Sequence, residues 1–212
     1  MPSGRRLTDL EPAGFVRRAS AFLLDILVAG VLLVLLLQLV LDPLRVALGP
    51  GWARVGWFYL PYALLTISLP MWLYFAGYES GARGATPGKR WLRIAVTSTA
   101  AAPLTFGRAL LRTVLKLLPF ETAHLFVALP ANPFIDPLSG QLVIPALDTM
   151  GASVLTGLLL ALLLLGAWVF TVMLHPDGRG PHDLLAHSFV VLDPEARLAP
   201  AGLAAPPGTG VV

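Results

Sequence analysis

Apolar residues in this chain occur in long unbroken runs. Ala19 to Leu41 carries one charge, Asp25, while Trp57 to Tyr78 and Met150 to Leu174 carry none. Each run reaches the ~20 residues that a helix needs to cross a hydrocarbon core, so three membrane-spanning helices are predicted. A fourth candidate, residues 104 to 130 (LTFGRALLRTVLKLLPFETAHLFVALP), is apolar but interrupted by Arg108, Arg112, Lys116, Glu121 and His124. Its three cations recur every four residues and form one stripe on a helix. Such a helix can cross, or it can lie flat at the membrane surface with its cations snorkelling to water.

Charge placement favours the crossing. Of the fifteen Lys and Arg, four precede the first run, two follow it, and seven lie from Arg83 to Lys116. Loops on the cytoplasmic side retain positive charge. Four crossings put thirteen cations inside and two outside, whereas three put eleven inside and four outside. The expected protein is therefore an all-α membrane protein, a bundle of about four transmembrane helices in the plasma membrane with both termini cytoplasmic. Residues 131 to 149 carry no Lys or Arg and suit the outer side.

Composition agrees. Of 212 residues, 56% are hydrophobic and only 13% charged, against about 25% charged in soluble domains. Mean hydropathy is +0.76. The first run is too long for a cleavable signal peptide and lacks a small-residue cleavage site after it. A pI near 9.7 arises from few charges and reads as topology, not nucleic-acid binding. Cysteine is absent, so there is neither a disulfide nor a cysteine metal site. Residues 1 to 13 and 194 to 212, rich in Pro, Gly and Ala, are expected to be disordered tails around a domain spanning 14 to 193. No internal repeat is visible. Leu92 to Thr97 and Ser188 to Leu192 are β-branched enough to pair as a small cytoplasmic ribbon, and Pro181 can open a short helix over His182 to Ala186.

The chemistry-bearing stretches are few. GATPGK, residues 84 to 89, suggests a phosphate-cradling loop, but Arg83 stands where the first glycine belongs and Arg90 where a hydroxyl should hold magnesium. His175, His182 and His187 are spaced seven and five apart, which fits no common metal motif, and no nucleophile elbow occurs. Catalytic, metal and cofactor residues are therefore not expected, nor is an enzyme. Ionisable groups within membrane segments are the functional candidates. Asp25 lies two turns into the first helix, with Arg18 on the same face roughly 10 Å away along the axis. A third group between them would relieve that gap; alternatively, Asp25 is glue to another helix. Glu121 and His124 share a helix face three residues apart. They can relay protons, since burial raises a carboxylate's pKa and histidine titrates near neutrality, or stitch a helix broken at Pro119.

Together these landmarks resemble the RDD family of bacterial and archaeal membrane proteins, named for one arginine and two aspartates, over about residues 14 to 192. GFVRRASAFLLD is similar to the family opening, with Arg18 and Asp25 as its arginine and first aspartate. GATPGKRWLRIAV resembles the glycine-lysine signature, with Gly88 and Lys89. GRGPHDLLAHSFVV is similar to the closing motif, with His182 and with Asp183 as the second aspartate. KLLPFETAH resembles a stretch carrying Lys116, Pro119, Glu121 and His124. Arg93 and His187 stand where the family commonly has glycine. The resemblance implies transport of a small ion or solute, with cation/proton exchange in some members. Arg18, Asp25 and Asp183 are expected to form one polar cluster, and Glu121 with His124 to lie on the transport route. The alternative is a non-transporting scaffold whose basic cytoplasmic face binds a partner or anionic lipid. Expected partners are the bilayer, a small cation or proton, and a second copy of the chain.

Overall fold

A computed structural model describes residues 10–48, 56–128, 146 and 150–192. The chain enters along the ribbon and forms α1 (Phe15–Asp25), which continues through a π-helical stretch, Ile26–Val34, into α2 (Leu35–Leu48). Next come α3 (Gly56–Ala63), a second π-helical stretch, Leu64–Ser68, and α4 (Leu69–Ser80). A short helix α5 (Pro87–Trp91) leads into strand β1 (Ile94–Ser98). The second half is α6 (Phe106–Ala128), α7 (Ala152–Leu174), α8 (Pro181–Leu185) and β2 (Ser188–Leu192).

Three helical stretches, Phe15–Leu41, Leu60–Ser80 and Ala152–Leu174, are long and apolar enough to cross a membrane. The fourth, α6, has 23 residues and runs as helix through Pro119. It lies at the centre, packed against α3, α4, α7 and α8. That placement corrects the flat, snorkelling alternative: Arg112 and Lys116 turn inward, and Arg112 is only 2% exposed. Gly157 lets α7 approach, because a Cβ there would overlap Phe126 of α6. Outward faces carry Leu27, Leu36, Leu159, Leu162, Leu163 and Phe170, as lipid contact requires.

The ribbon forms as expected. Strands β1 and β2 pair antiparallel, Ile94 opposite Leu192 and Ser98 opposite Ser188. Two strands alone are marginal, but all five β1 residues are buried, and Ile94, Val96 and Val190 pack with Ala21, Ala76, Leu104 and Ala109. Residues before α1 cover the free edge of β2. Pro12 bridges Val191, Ala13 N–H donates to the Val190 carbonyl at 2.9 Å, and Leu192 N–H to the Glu11 carbonyl at 2.9 Å. The last residues of the expected N-terminal tail are thus ordered edge. Residues 1–9, the C-terminal tail from 193 and most of the 131–149 loop lie outside the described residues.

A repeat that the sequence conceals is visible in the element order. Two membrane-length helices, a proline-opened five-residue helix and a five-residue strand occur, then occur again. Pro87 and Pro181 each stand six residues before a left-handed residue, Arg93 at φ 52° and His187 at φ 48°. Both hold the turn from short helix to strand in a conformation that costs non-glycine residues about 1 kcal/mol or more. Replacing either by glycine should therefore stabilise the protein by about 1 kcal/mol. Thermal unfolding in detergent of Arg93→Gly and His187→Gly checks this: both midpoints should rise, and unchanged or lower midpoints would contradict it.

Candidate functional site

Glu79 closes the last turn of α4 and is fully buried. Three cations converge on it. Lys89 Nζ from α5 donates to Oε1, Arg112 Nη1 from α6 donates to Oε2 at 2.5 Å, and Lys116 Nζ lies 3.2 Å from Oε1. Arg112 also reaches α8, where Nε donates to Asp183 Oδ1 at 2.8 Å and Nη2 stands 2.7 Å from the same oxygen. Asp183 is held further by Arg18 Nη2 from α1 and by Ser188 Oγ at 3.1 Å. Arg18 Nη1 donates to the Gly178 carbonyl just past α7. Six charged groups from five helices thus form one continuous network at the ribbon end.

Arg18 and Asp183, 165 residues apart in sequence, meet as expected. Asp25 does not join them. Its carboxylate accepts from Thr86 Oγ1 at 2.5 Å, Gly88 N–H at 2.8 Å and Tyr74 Oη at 3.0 Å. The expected bridging to Arg18 is therefore corrected: hydrogen-bond donors, not a guanidinium, satisfy Asp25. The glycine-lysine loop does bind an anion, but the anion is this carboxylate. Thr86 caps α5 and Pro87 opens it, leaving the next N–H free to face Asp25. A Cβ at Gly88 would come 2.5 Å from the Ala21 carbonyl and 2.9 Å from Asp25 Oδ1, so only glycine allows this approach. Its neighbour Lys89 then turns to Glu79.

Glu121 and His124 also meet, but deeper along α6. Glu121 accepts from Ser68 Oγ at 2.7 Å and Trp72 Nε1 at 3.1 Å, with His124 Nδ1 3.4 Å away. Ser68 ends the second π-helical stretch, and such stretches are frequent at functional sites. Pro119 lies inside α6, so the alternative of a helix broken there does not hold.

Reasoning from sequence missed Glu79 and the bridging role of Arg112. The available signal was a lone acid one residue beyond a chargeless run, followed by a basic loop. Tyr74, Thr86, Ser68, Trp72 and Ser188 carried no comparable signal. Among the described residues no group of three or more His, Cys, Asp or Glu is placed to hold a metal.

Electrostatics outside the spans follow the geometry. Burial pushes Asp183 up, but the charges of Arg112 and Arg18 and the hydrogen bond from Arg112 outweigh it and hold the carboxyl well below its usual range. Burial pulls Lys89 below its ordinary value despite Glu79. His182 is pushed down from 6.5 to about 3, first by burial and then by Arg112, Lys116 and Arg18, against the opposing pull of Asp183.

The family model described as the RDD family matches residues 12–187. No curated protein and no solved structure matches the chain.

The lowered value at His182 sets a pH dependence. The fold keeps the ring neutral, so below pH 6.5 the unfolded chain takes up a proton that the folded chain refuses until about pH 3. Stability should fall by about 2 kcal/mol between pH 7 and pH 5 from this group alone. Denaturation of wild type and His182→Asn at both pH values checks it. The variant should lose that part of the slope, and an unchanged slope would contradict it.

Proposed function

The chain belongs to the RDD family, and on that footing we propose that it moves a small cation or proton across its bilayer, with Glu121 as the loading carboxylate. One comparison of surroundings supports the reading. Within the apolar spans Phe15–Leu41 and Leu60–Ser80 and the helix α6, three carboxylates occur: Asp25, Glu79 and Glu121. Glu79 is neutralised by three cations. Asp25 is clasped by three donors, Tyr74 of α4, Thr86 at the N-cap of α5 and Gly88 of α5. Glu121 has a hydroxyl, an indole N–H and the imidazole of His124 around it. A proton or small cation can therefore neutralise Glu121 without dismantling a lattice of fixed charges. The side chain keeps 16% of its surface exposed, whereas Glu79 keeps none.

The repeated order of elements adds weight, since many transporters bind their cargo where two repeats meet. In this reading the ribbon end faces the cytoplasm of a plasma membrane, as its cations favour, and the charge network is the rigid base on which the two halves are held. Alternating exposure of Glu121 would occur beyond that base. The protein would act as a transporter, not an enzyme.

Flux in proteoliposomes tests this. Cation-driven proton movement should be seen with wild type and fall at least tenfold in Glu121→Gln, whose thermal midpoint stays near that of wild type because an amide still accepts from Ser68 or Trp72. His124→Asn should shift the pH dependence. Full flux in a folded Glu121→Gln would remove the residue from the route, and absence of flux in wild type across alkali cations would favour the scaffold reading.

A further inference from the structure

Counted together with the neighbouring Asp25, the buried groups at the ribbon end have one cation more than they can pair internally. Arg18, Lys89, Arg112 and Lys116 stand against Glu79, Asp183 and Asp25, which leaves a formal charge of one positive in a buried region. An uncompensated charge away from water is costly, and a counter-ion or partner normally offsets it. All four cations, with Asp25, line a cavity of about 170 Å³ between α1 and α7. That is comparable to the roughly 150 Å³ of an apolar cavity that holds benzene.

Hydrogen-bonding capacity at the cavity is also unspent. Trp168 and His182 both line it, and Trp168 Nε1 and His182 Nδ1 are buried with no partner among the described residues. His182 is only 7% exposed. Lys116 Nζ makes one ion pair, at 3.2 Å to Glu79, and otherwise faces the Phe75 ring at 3.6 Å from its centroid. An ammonium has three donors, so Lys116 retains capacity for an acceptor in the cavity.

The walls have a different character from the floor. Phe15, Ala19 and Phe22 line one side along α1, and Leu165, Val169 and Val172 line the other along α7. At spacings of three, four and seven, each set is one helical stripe. The two stripes are joined at the base by the Arg18 bond to Gly178. A free inorganic anion would answer the charge but leave both apolar stripes uncovered. A zwitterionic lipid would cover the stripes but bring no net charge.

We propose that this gap binds an amphiphile with a single oxyanion head, a carboxylate or a phosphodiester, seated on Lys116 and Trp168 with its acyl chain lying between α1 and α7. The occupant arrives laterally from the leaflet, because the walls are helices of the membrane bundle and the charged floor lies at their ribbon end. The head carries the one negative charge that the network and Asp25 together lack, and the first methylenes of the chain lie against Phe22 and Val169. This site does not involve Glu121 and stands whether or not that residue carries a cargo.

Trp168 makes the site testable by fluorescence. The full chain is placed in phosphatidylcholine nanodiscs and titrated separately with brominated oleate, brominated phosphatidylglycerol and brominated phosphatidylcholine. The signal lost in Trp168→Phe isolates the contribution of this indole. At least one anionic probe should quench it saturably, and the probe that saturates at the lower mole fraction distinguishes a free fatty acid from a bilayer lipid. Lys116→Gln should weaken that titration at least tenfold. Should that variant fail to fold, Ala19→Phe, which fills the gap without touching an ion pair, should weaken it to the same extent. Equal quenching by brominated phosphatidylcholine, quenching that never saturates, or an unchanged titration in Ala19→Phe would overturn the proposal.

Discussion

Everything at the ribbon end depends on Glu79 being buried with three cations around it. Taking an ion from water into a protein interior costs several kcal/mol even after relaxation, and the partners' attraction offsets this only in good geometry. Glu79 is fully buried, and so is Asp183. Arg112 bonds both and is therefore the member that turns two ion pairs into one network. Because the participants come from α1, α4, α5, α6 and α8, the charges can all be satisfied only when those five helices stand in one relative arrangement. The network is weak as a source of net stability but strong as a specification of packing. Apolar contacts between lipid-solvated helices cannot supply that specificity, since lipid is as apolar as leucine.

The two halves use the same scaffold with opposite charges. Lys89 and Asp183 stand at the same place in their respective short helices, each two residues after the opening proline. Lys89 is directed to Glu79 and Asp183 to Arg112. Each short helix also has a carboxylate at its N-terminus, where the dipole and free N–H groups favour one. For α5 it is Asp25 from another helix, bonded to Gly88 N–H; for α8 it is its own Asp183, bonded to Gly180 N–H at 3.2 Å. The strands that follow pair with one another. The ribbon therefore joins the halves on the outside of the bundle, while the ions join them within it.

How much of this could be read from the chain depends on the range of the interaction. Spans, the ribbon and the short helix at Pro181 are local patterns of hydropathy, β-branching and turn chemistry, and they were legible. The Arg18 to Asp183 pairing was legible through family motifs and from both residues lying at one membrane face. Glu79 was not, because an acid at the end of a membrane run looks like an ordinary interfacial residue. Arg112 was visible only as one of three cations on a stripe, and a stripe does not say whether it faces water or protein. Of the two readings of Asp25, the one that tied it to the nearest cation on its own helix fails and the one that made it glue to another helix holds, because its partners lie 49 to 63 residues away, on α4, at the N-cap of α5 and in α5. The repeat escaped notice because its halves share proline position and backbone conformation but carry different side chains.

The central claim is that Glu79 and its cations are one coupled unit, and a double-mutant cycle on Glu79→Gln and Lys89→Gln measures it most directly. Unfolding free energies would be taken for both single variants and the double in the same detergent. Glu79→Gln leaves three cations without their carboxylate and should cost about 3–5 kcal/mol. The double variant should recover part of that loss, with a coupling energy of about 1–3 kcal/mol. Additive losses, or a Glu79→Gln variant as stable as wild type, would contradict the account.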